Sequence, residues 1–165
     1  MEIEELTKKE SELYSIVLKI YNQKESDEKL YDIFNSYRQI HKHYANLSEI
    51  DNEALKRGLF IQWYSKTEPN YLTGIGELDE KSEFHILKIL EDKIQTESLD
   101  IELKWMLNYY AIWDYTFEKL ESFPNLNQFI KNRTEKYFPK VIDKLEMCKR
   151  GQMGEYWNSL IIFDK

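Results

Sequence analysis

Apolar residues recur along this chain at intervals of three and four, the spacing that lines one face of an α-helix. The clearest run is Leu30, Ile33, Phe34, Tyr37, Ile40, His41 and Tyr44. At a helical step of about 100° per residue these seven fall within about 60° of one line, which predicts an amphipathic helix. Ser26 is its expected cap, with Asp27 and Glu28 in the first turn where the helix dipole favours them. Upstream, Leu13, Ile16, Val17 and Ile20 mark the face of a first helix. Thr7-Lys8-Lys9-Glu10 reads as its capping box, with Ile3 and Leu6 as an upstream extension.

Ser48-Glu49-Ile50-Asp51 resembles a second capping box and opens a third helix, running to about Ser65. Its apolar content is Leu55, Leu59, Phe60, Ile61, Trp63 and Tyr64. Gly58 inside it costs about 1 kcal/mol relative to Ala, so close packing of another helix over that spot is expected. Residues 66–78 are the longest expected irregular segment, punctuated by Pro69, Gly74 and Gly76. Asp79 caps a fourth helix to about Gln95, with Phe84, Leu87, Leu90 and Ile94 inward.

Ser98 is the expected cap of a fifth helix ending near Ser122, apolar on nearly every side from Ile101 through Trp105, Tyr109 and Trp113 to Leu120. A helix that is hydrophobic all round belongs at the centre of a fold. Phe123-Pro124 stops it, and Asn125 to Gln128 signals a sixth helix. Pro139 suits the first turn of a seventh, with Val141, Leu145 and Cys148 on one face and Gly151 just beyond its end. Glu155 to Phe163 forms a short last helix. The pattern predicts an all-α, single α-helical domain over residues 1–165, with six to eight helices around a hydrophobic central helix at about 99–121.

Composition narrows the function. Five glycines and three prolines in 165 residues are too few for the turns of an all-β chain. The formal net charge of −7 disfavours phosphate backbones and anionic membranes and favours a partner protein with a basic surface. The charge is uneven: residues 77–102 hold nine acidic residues against three lysines, a net −6, and residues 131–150 hold seven basic against three acidic, a net +4. The plainest account of both runs is solvated helix faces. One cysteine excludes an intrachain disulfide, the N-terminal stretch lacks the apolar run of a leader, and no apolar run approaches membrane-spanning length. These features point to the cytoplasm.

Catalytic and metal chemistry find little support. His41 and His43 point to different faces of one helix, and no residue three before any of the three histidines is Glu. No metal and no cofactor is expected. Thr73-Gly74-Ile75-Gly76 has a superficial likeness to a phosphate loop, but Glu77 and Asp79 stand where phosphate would land. Cys148 on its apolar face reads as a buried, inert thiol.

Two constellations remain. Trp63, Tyr64, Glu68, Asn70 and Tyr71 place aromatic and small polar groups around the end of the third helix, with Glu80 and Glu83 as an acidic rim. They form either a recognition surface or a loop packing its rings back onto the core. His41, Asn108, Tyr109 and Asp114 are the polar residues of a Tyr/Trp-lined pocket, or members of a structural hydrogen-bond network. The leading expectation is a cytoplasmic acidic interaction protein of the stoichiometric-inhibitor or immunity type. The alternative is a helical small-ligand binder or sensor.

Overall fold

The structure, a computed structural model, describes residues 2–23, 27–117, 119–133 and 142–161. Nine α-helical segments and no strand are found among the described residues. They are α1 (Ile3–Gln23), α2 (Asp27–Leu47), α3 (Asn52–Thr67), the single turn α4 (Asn70–Thr73), α5 (Glu80–Gln95), α6 (Ile101–Tyr110), α7 (Pro124–Lys131), the single turn α8 (Lys144–Met147) and α9 (Gly151–Ile161). Their inward faces form one hydrophobic core. The seven-residue stripe of α2 is its clearest contribution: Tyr37, His41 and Tyr44 have no exposure and Ile33 and Ile40 almost none.

The centre of the fold is α3. All ten residues from Ala54 to Trp63 are buried, Lys56, Arg57 and Gln62 among them. It packs against α2, α5 and α9. The segment expected at the centre is shorter and more peripheral. It forms α6, then 3-10 turns at Asp114–Thr116 and Leu120–Ser122, and it leaves Ile101 81% and Tyr115 62% exposed. The sequence points away from α3 because its two buried cations read as solvent-facing.

Ionic partners make that burial affordable. The Lys56 ammonium lies 2.9 Å from Asp100 and 2.6 Å from Glu102. Arg57 Nε donates to Glu53 at 2.8 Å, and its fork reaches Thr7, Tyr44 and the Lys149 carbonyl. Arg150 completes the set, donating to both Glu53 and Glu102 and so tying the segment before α9 to α3 and α6. Burial works against the charge of Lys56, Arg57 and Arg150, yet these contacts hold all three above their usual pKa values and hold Glu102 below its own.

Aspartates rather than serines begin the helices. Asp51, Asp79, Asp100 and Asp143 each accept from backbone N–H groups in the first turn. Asp79 is at its expected position. Ser48 instead donates to the Tyr44 carbonyl within the end of α2, and Thr7 lies inside α1, donating to Ile3. The expected cap at Ser26 and the start of a helix at Pro139 lie outside the described residues. Two helices are capped by carboxylates from elsewhere. Glu91 of α5 accepts from the Asn125 and Leu126 N–H groups at 3.0 and 2.7 Å, and Glu10 of α1 accepts from Gln152 N–H at 2.7 Å.

Cys148 is exposed, not buried, because Met147 takes the inward position and Leu145 points out. Gly151 adopts φ +60° as the first residue of α9, four residues beyond the end of α8, rather than closing the preceding helix.

Two outcomes follow. A Cβ on Gly58 would stand 2.8 Å from Ile86 Cδ1 and 3.3 Å from Tyr44 Cβ, so α2 and α5 pack over this glycine. Gly58→Val should destabilise by about 1–3 kcal/mol in urea denaturation, the usual cost of overpacking. Arg150→Ala should cost about 2–4 kcal/mol in the same assay, since it leaves two carboxylates beside α3 short of a cation that is itself largely buried.

Candidate functional site

Folding neutralises most of the acidic stretch. Arg38 and Lys42 of α2 pair with Glu77 and Asp79 at 3.8 and 3.3 Å. Lys66 of α3 pairs with Glu83 at 3.3 Å, and Lys119 with Glu80 at 3.6 Å. Asp100 and Glu102 serve the cations around α3, and Glu91 caps α7. Glu80 is highly exposed but already has a lysine; Glu83 is mostly covered.

The aromatic residues divide by depth. Trp63 is only 3% exposed and lies in the core, so it offers no surface ring. Its indole stacks on Tyr110 at 4.6 Å and on Tyr64 at 5.9 Å, and meets Tyr109, Trp113 and Tyr156 edge-on at 5.3–6.0 Å. Tyr64, Tyr109, Trp113 and Tyr156 are half-buried and form the outer layer of this cluster. The Tyr109 and Tyr156 hydroxyls are hydrogen-bonded at 2.6 Å, which fixes α6 to α9 at the surface. Phe60 supports Tyr64 and Tyr156 from below at 4.7 and 5.7 Å.

This layer is an acidic tyrosine shelf. Glu68, at the end of α3, acts electrostatically on Tyr64 and Tyr109; Glu155 of α9 acts on Tyr14 of α1. Burial is the first cause of the raised pKa of each phenol, and the carboxylates add to it. The negative potential that disfavours a phenolate favours a cation. Glu68 and Glu155 are exposed, and neither has a basic partner within ion-pair distance among the described residues. Tyr14, Leu18 and Tyr21 share one strip of α1 by their i, i+4, i+7 spacing, and the last two are 43% and 57% exposed.

The segment after α3 is exposed in its first part and buried in its second. Asn70 and Tyr71 are exposed, Tyr71 at 52%. Residues 73–76 and Leu78 are buried as a connector. Gly74 takes φ +73° where a Cβ would meet Val17 and Ile33, and Gly76 lies against Phe34, so these glycines serve packing.

The side chains of three of the four expected pocket residues, Tyr109, Asn108 and His41, lie apart from one another. Tyr109 belongs to the shelf. Asn108 lies in a groove beside α7. His41 is fully buried near Gln62, and neither of its ring nitrogens has a well-formed hydrogen bond. The side chain of Asp114 lies outside the described residues. A second buried polar cluster escaped the sequence reading. Glu10, 1% exposed, accepts from Tyr44 and Gln152, while Gln152 also donates to Tyr37 and to the Thr73 carbonyl at 2.6 Å. Burial raises the Glu10 pKa, opposed by Gln152 and Arg57. The Thr7-Lys8-Lys9-Glu10 pattern assigned Glu10 to a capping box, and nothing local marked it as buried.

Among the described residues no cluster of His, Cys, Asp or Glu has the arrangement of a metal site, and no helix is long and apolar enough to cross a membrane. No known protein family, curated protein or solved structure matches the chain.

Burial holds the His41 imidazole down to about 4 from its ordinary 6.5, with nearby Asp79 and Gln62 opposing the shift and Lys66 assisting it. The folded state therefore binds a proton less readily than the unfolded state. His41 contributes stability in full above about pH 6.5 and loses it as the pH falls toward 4. Urea midpoints across that window should fall more steeply for the wild type than for a His41→Leu variant. Equal slopes would show that His41 titrates as an ordinary histidine.

Proposed function

We propose that this chain is an acidic interaction protein, of the stoichiometric-inhibitor or immunity type, whose tyrosine shelf seats a Lys- or Arg-bearing segment of a basic partner protein. One observation carries the reading: Glu68 and Glu155 stand without cations beside half-buried tyrosines, while most carboxylates of the 77–102 stretch are spent on internal contacts. A cation over a tyrosine face gains about 0.5–2 kcal/mol, more as water is excluded, and a flanking carboxylate adds direction. Rigid tyrosines also lose little entropy on binding and are frequent hot spots. Net charge favours encounter with a basic surface over nucleic acid or an anionic membrane. An exposed, unpaired Cys148 suits a reducing compartment, which supports a cytoplasmic address.

The test is binding kinetics on a partner captured from native lysate. Glu68→Lys with Glu155→Lys should slow association and weaken its salt dependence. Tyr64→Ala should speed dissociation, at a cost of about 2 kcal/mol if the ring is a hot spot, once circular dichroism shows the variant folded. Glu80→Lys with Glu83→Lys serves as the comparison, since both acids already face lysines, and should change association less. If the shelf variants bind as wild type does, the interface lies elsewhere.

A further inference from the structure

A groove of about 370 Å³ runs between α6 and α7, apart from the shelf. Among the described residues its lining is Ile94, Asn108, Asn125, Gln128, Phe129 and Asn132. Four of the six are carboxamides and none is charged, in a chain that is 32% charged. That contrast makes a merely solvated face a poor account of it.

The hydrogen bonds show which ends of the amides remain. Asn108 Nδ2 donates to the Lys104 carbonyl at 3.0 Å, and Asn125 Nδ2 donates to Glu91 at 2.7 Å. These bonds orient the two amides and leave their oxygens without a donor among the described residues. Gln128 and Asn132 are exposed, with both ends of each side-chain amide unspent. Phe129 and Ile94 are half-buried and supply an apolar floor. The site thus offers two fixed acceptors, two adaptable donor–acceptor groups and one aromatic ring.

We infer that this groove binds a small neutral sugar. A cation finds no carboxylate among the described lining residues, and the nearby Glu91 is engaged with the α7 N-terminus and Asn125. An anion finds no basic side chain among the described lining residues and meets fixed amide oxygens. A wholly apolar ligand would strip water from four amides and return no hydrogen bonds. A sugar matches each feature. Its hydroxyls donate to the fixed oxygens and accept from Gln128 and Asn132, and its C–H face lies on Phe129. The volume is within the range of small-ligand sites.

The test is a titration of the full chain with glucose, galactose, mannose, N-acetylglucosamine, maltose, cellobiose and lactose, followed by the side-chain amide NMR signals. At least one sugar should give saturable shifts at Asn108, Asn125, Gln128 and Asn132. A Gln128→Ala/Asn132→Ala double variant changes only exposed side chains and should keep the wild-type backbone spectrum. It should bind that sugar about tenfold or more weakly, as expected for the loss of ligand hydrogen bonds. Phe129→Leu, which keeps an apolar side chain, should weaken it as well. The inference is overturned if no sugar shifts these signals, if the double variant binds as tightly as wild type, or if argininamide or acetate saturates the groove as well as any sugar does.

Discussion

The structure depends on making two cations tolerable inside a central helix. Lys56 and Arg57 lie within the ten-residue buried run of α3, and an unpaired charge there would cost several kcal/mol. Glu53, Asp100, Glu102 and Arg150 come from three places in the chain to form a connected set of ion pairs around them. That requirement fixes the approach of α6, whose cap Asp100 also binds Lys56, and of the segment leading into α9, which carries Arg150. Tyr44 and Glu10 extend the same network toward the first turn of α9 through Arg57 and Gln152.

This internal demand decides what is left on the surface. Carboxylates that neutralise Lys56 and Arg150, or that cap α7 and α9, no longer contribute to an external acidic field. Among the described residues, two acids without a basic partner act on aromatic rings of the shelf and of α1: Glu68 at the end of α3 and Glu155 on α9. Both elements are held by the core on their inner sides, so the tyrosines between them are presented on rigid supports. Trp63 contributes to that rigidity from beneath, through its stacking on Tyr64 and Tyr110.

Local periodicity was a good guide wherever one face of a helix meets the core. The α2 stripe, the Asp79 cap and the close approach over Gly58 were all legible, because each depends on neighbours three or four residues away. It was a poor guide to which helix sits at the centre. The stretch from Ile101 to Leu120 carries more apolar residues than α3, yet Ile101, Ile112 and Tyr115 remain exposed while Lys56, Arg57 and Gln62 go inside. Hydropathy cannot register a cation whose counter-ions lie nearly fifty or a hundred positions away, as Glu102 does from Lys56 and Arg150 from Glu53.

By itself, the sequence determined an all-helical chain with an acidic net charge and an unusual supply of aromatic rings. Those properties reside in single residues or in spacings within one or two turns. Tertiary structure decided the rest: which acids are neutralised, which rings are surface and which are core, and where four amides meet in one groove. Each of those outcomes is set by the distance between side chains on different helices. Local spacing carries no information about that distance until the core has packed.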